Sequence, residues 1–259
     1  MFDYHMHTRV SFDGRETGMQ MAMAAKEAGL KEICFTDHLD YDPLGNMGVL
    51  AFDTEAYNAE YDHLEIPGLT IRRGMEFGMT VDNREQFKKD LQRRPFDFVL
   101  GSIHFVDDLD VYFPEYWAGK TIFQAERRYL EATLDCVQIH DDFDVLAHIA
   151  CPVRYMTTKY GRPTNVLEFE AKIREILKKI IDRNIALEWN NAGLRQNEEI
   201  FAIYYDMGGR LVTLGSDAHR PKHLDDPETE AKARQFLSSL GITPIDVAFI
   251  AAPTADTAG

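Results

Sequence analysis

Seven stretches of this 259-residue chain read as β-strands, and stretches of helical composition separate them all. The strand-like runs span residues 2–7, 32–38, 69–77, 96–105, 143–149, 185–190 and 210–217. Each is short, rich in apolar and β-branched residues, and bounded by polar or Gly/Pro-containing segments. The helix-like stretches are 18–28, 54–65, 84–93, 121–139, 166–183, 197–205 and 228–240. In one of them Ile173, Ile176, Leu177 and Ile180 fall on a single face, with Lys172, Arg174, Lys178 and Lys179 elsewhere. Strand and helix in strict alternation imply parallel pairing, because each parallel connection needs a crossover that the helix supplies. No linker, repeat or low-complexity block interrupts the pattern, so residues 1–251 read as one α/β domain and 252–259 as a frayed tail. A single barrel of about 200 to 250 residues accommodates that length, and a hydrophobic fraction of 45% supplies its core.

The strand ends carry the functional signal. Parallel sheets place their chemistry at the carboxyl ends of the strands, and every run here ends on ionisable or polar groups. In order these are His5 and His7, Asp37 and His38, Glu76, His104, His148, Glu188 and Asn190, then Asp217 and His219. His5 and His7 are two apart on a strand and leave the same face, and Asp217 and His219 repeat that spacing. A lone His-x-His pair reads equally well as an exposed pair on an edge strand, and a single strand-end histidine is more often a satisfied core residue. Six strand-end histidines together with acidic partners point instead to metal. With Asp13 there are nine candidate ligands: His5, His7, Asp13, His38, Glu76, His104, His148, Asp217 and His219. Nitrogen and carboxylate oxygen without thiolate suit zinc, manganese or iron. Nine donors exceed one tetrahedral ion and suffice for two or three, with Glu76 able to bridge.

Charge and composition narrow the partners. A formal charge of -15 would repel a nucleic-acid backbone, so no nucleic acid is expected. No apolar run approaches the roughly 18 to 20 residues of a membrane span, and residues 1–7 do not resemble a signal peptide. A cytoplasmic protein without membrane contact is the expectation, and nothing specifies its oligomeric state. Cys34, Cys136 and Cys151 are odd in number and widely spaced, so they read as reduced thiols. Cys151 and Arg154 are too close for a cysteine-phosphatase loop, Asp108 and Asp110 lack the context of an aspartyl nucleophile, and no phosphate-binding Gly-Lys loop occurs. His63, His140 and His223 read as solvated, Asp37 as an orienting group, and the Met19, Met21, Met23 run as helix packing.

Taken together these residues resemble the PHP (polymerase and histidinol phosphatase) domain family, in its histidinol-phosphatase branch. The resemblance covers nearly the whole chain. It rests on His5-Met6-His7-Thr8, Ser11-Phe12-Asp13-Gly14, Thr36-Asp37-His38, Gly74-Met75-Glu76, Gly101-Ser102-Ile103-His104, Leu146-Ala147-His148 and Gly215-Ser216-Asp217-Ala218-His219. It implies a distorted, TIM-like (β/α)7 barrel with a trinuclear site. The implied ligands are His5, His7, Glu76 and Asp217 for one ion, Glu76, His104 and His148 for a second, and Asp13, His38 and His219 for a third. Three such ions against three carboxylates leave about three positive charges to draw in a phosphate. A metal-bridging hydroxide held by Glu76, His104 and His148 is the implied nucleophile, and Arg154 and Arg195 the implied phosphate-binding groups. The implied substrate is small and phosphorylated, with L-histidinol phosphate the leading choice. Another phosphomonoester, or a non-catalytic metal-binding module, is the alternative that assays of phosphate release separate.

Overall fold

The computed structural model describes residues 1–152, 165–192 and 197–246. Arg154, Arg195 and the tail expected at 252–259 lie outside them. The main sheet contains β1 (Phe2–Met6), β2 (Glu32–Phe35), β3 (His38–Leu39), β4 (Thr70–Gly78), β5 (Phe98–Ser102), β8 (Val145–Leu146), β9 (Ala186–Asn190) and β10 (Val212–Gly215). Seven of them pair in the order β1-β2-β4-β5-β8-β9-β10, with β3 beside β4, and every pairing is parallel. The ends of this row meet: Asp217 N donates to His5 O at 2.8 Å and His7 N to Ala218 O at 2.9 Å. The sheet is therefore nearly closed into a barrel, as the alternating pattern implies.

Helices cover the outside. Helix Gly18–Glu27 begins at a capping box of Thr17 and Gln20, and helix Ile122–Ile139 at one of Thr121 and Gln124, which satisfies amides that have no partner within the helix. Helix Glu170–Asp182 buries Ile173, Ile176, Leu177 and Ile180. With helices on one side and the barrel interior on the other, β5 and β9 are buried along their whole length.

The interior changes character along the barrel axis. Tyr4, Cys34, Phe98, Leu100, Val145, Ala147 and Ala186 form one apolar cluster. Two residues further along the same strand faces stand Ser102 after Leu100 and Glu188 after Ala186. A register shift in β1 between Asp3 and Met6 lets Tyr4 join the apolar cluster while the next residue, His5, reaches Glu76 and Asp217. Hydrophobic filling thus seals one end, and the carboxyl ends converge on polar groups.

Two predicted runs are broken. Residues 32–38 divide into β2 and the short β3, which pairs with β4 so that His38 lies opposite Glu76. Residues 96–105 end at β5, and a separate antiparallel hairpin follows, β6 (Phe105–Val106) with β7 (Leu109–Asp110). Its turn holds Asp107 and Asp108 at φ of 53° and 64°, a geometry the glycine-free sequence does not announce. Met21 is in the core as expected, but Met19 and Met23 are exposed. Among the described residues no helix is long and apolar enough to cross a membrane.

Ile176 is fully buried between its helix and the barrel. Replacing it with alanine is expected to destabilise the fold by about 2 to 5 kcal/mol, read by urea denaturation. A loss well under about 1 kcal/mol would show that the helix does not pack as described.

Candidate metal centre

All nine predicted ligands meet at the carboxyl end of the barrel. Glu76, on β4, stands in the middle, buried, with its two oxygens facing different groups of imidazoles. Oε1 lies 2.6 Å from His148 Nε2 and 3.2 Å from His104 Nε2. Oε2 lies 3.2 Å from His5 Nε2, 3.4 Å from His7 Nε2 and 3.1 Å from His38 Nδ1. Asp217 Oδ1 is 3.6 Å from His5 Nε2 and 3.5 Å from His7 Nε2. Asp13 Oδ2 is 2.9 Å from His219 Nε2 and 3.6 Å from His38 Nε2. Two of the nine leave their strands with unusual backbone: His148 at φ 24° and Asp217 at φ 57°, a conformation that non-glycine residues adopt only where the surroundings enforce it.

A ring of supporting groups fixes the imidazoles. Glu188 Oε1 takes His5 Nδ1 at 2.5 Å, and its Oε2 accepts the His148 backbone amide at 2.8 Å. Asp40 reaches His104 Nδ1 at 2.9 Å and His38 Nδ1 at 3.3 Å. Ser102 donates to Glu76 Oε1 at 2.6 Å. Asp37 accepts from Ser11 Oγ at 2.8 Å, and that hydroxyl lies 3.2 Å from His7 Nδ1, so Asp37 orients its ligand through a serine. Glycines make room for these carboxylates: a Cβ on Gly78 would sit 1.7 Å from Asp40 Oδ1, and one on Gly215 would sit 2.4 Å from Glu188 Oε1.

Asp40 was not among the predicted residues, and Glu188 was noted only as a strand end. Both follow the two-residue spacing that marks the rest, Asp40 after His38 and Glu188 before Asn190. His140 departs from expectation: it is buried, and its Nε2 lies 2.8 Å from Thr80 O. His63 is exposed as expected, while His223 is exposed at the rim of the site cavity.

Electrostatics set what the cluster requires. Burial pushes the His38 imidazole down, but Glu76, Asp13 and Asp40 outweigh it and raise its pKa from 6.5 to about 10. Burial also opposes charge on His148, which Cys151 and Glu76 raise to about 10. His5 and His104 are raised too, against burial, the first by Glu188, Glu76 and Asp217 and the second by Asp40 and Glu76. His7 goes the other way: burial, with His219 and His38, lowers it to about 3. Against its own burial Glu76 is held well below the usual carboxylate range by His5, His38 and His104. Crowded carboxylates in a dry pocket demand positive charge, and imidazole protons supply it only by using up metal-binding lone pairs.

Donor geometry fits divalent cations. Candidate atoms lie within 4.8 Å of one another in four triads: His5 with His7 and Asp217, His5 with Glu76 and His148, His7 with His38 and His219, and His38 with Asp40 and His104. Glu76 Oε2, His38 Nδ1 and His219 Nε2 are buried without a properly aligned hydrogen bond despite their close neighbours. Atoms that approach one another without pointing at one another share a point in space, which is how ligands surround an ion. Above them opens a cavity of about 510 Å³, which Arg220 also lines.

Comparison with known proteins gives one consistent relationship. The PHP domain family model matches residues 3–192. The chain is 33% identical over 226 residues to a probable histidinol-phosphatase of Clostridium acetobutylicum, covering 85% of this chain and 86% of the relative. It is 29% identical over 255 residues to the histidinol-phosphatase of Lactococcus lactis, covering 92% and 91%. Its structure matches that of a Lactococcus lactis histidinol phosphate phosphatase complexed with zinc, L-histidinol and phosphate. The TM-score is 0.82 at 27% identity, over 94% of this chain and 95% of the other.

A pH dependence follows for protein stripped of metal. His38 and His148 have folded values of about 10 against an ordinary 6.5. Their stabilisation is full below pH 6.5 and is lost as pH rises towards 10. Thermal unfolding of chelator-treated protein is expected to show Tm falling across that interval, and added Zn2+ to flatten the fall. A Tm that stays level or rises between pH 7 and 10 without metal would contradict the charge balance described.

Proposed function

The chain belongs to the PHP domain family, and from that premise we propose that it is a metal-dependent phosphatase that hydrolyses L-histidinol phosphate to L-histidinol and phosphate, a reaction of histidine biosynthesis. The observation that carries this reading is Glu76, whose Oε1 faces His104 and His148 and whose Oε2 faces His5, His7 and His38 in a buried pocket. Likeness to the zinc-, histidinol- and phosphate-bound enzyme over nearly the whole of both chains supports the substrate.

The residues divide the work. His5, His7, Glu76 and Asp217 would hold one divalent ion, Glu76, His104 and His148 a second, and Asp13, His38 and His219 a third, the ions being zinc, manganese or iron. Bound there, such ions lower the pKa of water and take up charge on phosphoryl oxygens. Glu188 and Asp40 keep His5 and His104 in the tautomer that presents Nε2, because each accepts from Nδ1. Arg154 and Arg195 are proposed to grip the phosphate, since a guanidinium fork matches two phosphate oxygens. Arg220 lines the cavity and stands beside His219, so it offers a further cation. An acidic protein thereby presents an anionic substrate with a locally positive, water-poor site.

Phosphate release tests the reading. Metal-loaded protein is expected to favour L-histidinol phosphate over a panel of other small monoesters in kcat/KM, and chelation to abolish turnover. Glu76→Gln is expected to lower kcat at least about 100-fold, as removal of a group shared by two ions should. Equal or faster hydrolysis of unrelated monoesters would defeat the substrate assignment, and undiminished activity after complete metal removal would defeat the mechanism.

A further inference from the structure

The cavity above the imidazoles has a second, chemically different wall. It includes Phe12, Leu50, Val111, Tyr112, Phe113 and one carboxylate among them, Asp110. Phe12, Tyr112 and Phe113 are 49%, 47% and 39% exposed at the cavity mouth, with the rings of Tyr112 and Phe113 edge to face at 5.2 Å. Such surface marks a place where a ligand packs. A phosphoryl group alone does not fill about 510 Å³, so room remains for the organic part of an ester.

Asp110 is held firmly in that wall. It ends β7, in a hairpin that starts immediately after His104. Arg128 clamps the hairpin turn through Asp107, with Nη2 2.8 Å and Nε 3.1 Å from Oδ1. Val111 N donates to His104 O at 2.9 Å, and Trp117 Nε1 donates to Val111 O at 2.9 Å. These bonds tie the position of Asp110 to that of a proposed metal ligand. Its Oδ1 accepts the Tyr112 backbone amide at 2.8 Å, and no salt bridge of its carboxylate occurs among the described residues. Burial pushes the Asp110 carboxyl up, against the Tyr112 amide. A half-buried carboxylate beside aromatic rings is relieved by a cationic nitrogen, which gains from both the charge and the ring faces.

We propose that Asp110, with the rings of Phe12, Tyr112 and Phe113, forms the specificity-determining subsite for a protonated nitrogen in the organic part of the substrate. This rests on the phosphomonoesterase reading above and adds the class it selects: phosphate monoesters that carry a cation. The metal cluster and its neighbours take the anionic end, and the hairpin takes the cationic end.

The test compares metal-loaded wild type with Asp110→Asn and Asp110→Glu on L-histidinol phosphate and O-phosphoethanolamine, which carry a cation, and on p-nitrophenyl phosphate, which does not. In Asp110→Asn the ratio of kcat/KM for the cationic esters to that for p-nitrophenyl phosphate is expected to fall at least about tenfold, chiefly through KM, with metal content retained. Asp110→Glu is expected to recover part of the ratio. Equal changes on all three esters, or an unchanged ratio, would overturn the subsite while leaving a phosphatase in place. Failure of wild type to release phosphate from any ester would overturn the phosphatase reading itself, and this proposal with it.

Discussion

One buried carboxylate organises the molecule. Glu76 lies at the centre of the barrel mouth, and its two oxygens reach five histidines contributed by β1 and the residue after it, by β3 and by the segments after β5 and β8. Burying an ionised carboxylate is unfavourable unless positive charge meets it. Everything near Glu76 answers that requirement, from the imidazoles it faces to the Ser102 hydroxyl that donates to Oε1. Closure of the barrel, through Asp217 N to His5 O and His7 N to Ala218 O, brings the Asp217 carboxylate within 3.6 Å of the His5 imidazole that faces Glu76.

Fold and site depend on each other through the strand faces. Alternate residues that pack as Leu100 and Ala186 lower in the barrel become Ser102 and Glu188 one step up, so a single extended backbone supplies both hydrophobic filling and polar support. The two small residues Gly78 and Gly215 belong to the same design, since any side chain there would displace Asp40 or Glu188. Outside the barrel, helix faces such as that of Ile173, Ile176 and Ile180 carry the stability that lets a cluster of like charges be held together.

Much of this was legible in the residues. The seven parallel strands follow from the alternation of short apolar runs with helical stretches, and eight of the nine candidate ligands were visible because strand ends are where such sheets gather chemistry, Asp13 lying in the loop beyond the first strand. What escaped has physical reasons. The hairpin of β6 and β7 turns on Asp107 and Asp108, so the Asn-Gly or Asp-Gly pair that usually announces such a turn is absent. Asp40 belongs to a loop-like segment, and only the pairing of β3 with β4 brings it between His38 and His104. His140 looks solvated in an acidic stretch, yet helix Ile122–Ile139 ends by folding it under Thr80. Pattern reports which face a residue takes. It does not report which distant backbone group closes over it.

The central claim is that these side chains form a polynuclear cation site, and direct measurement of bound metal decides it. Protein purified without chelator and analysed for metal content should contain about two to three transition-metal equivalents per folded chain, with anomalous scattering between Glu76 and the surrounding histidines. A folded chain that holds no metal, and takes up none on titration with zinc or manganese, would contradict the account.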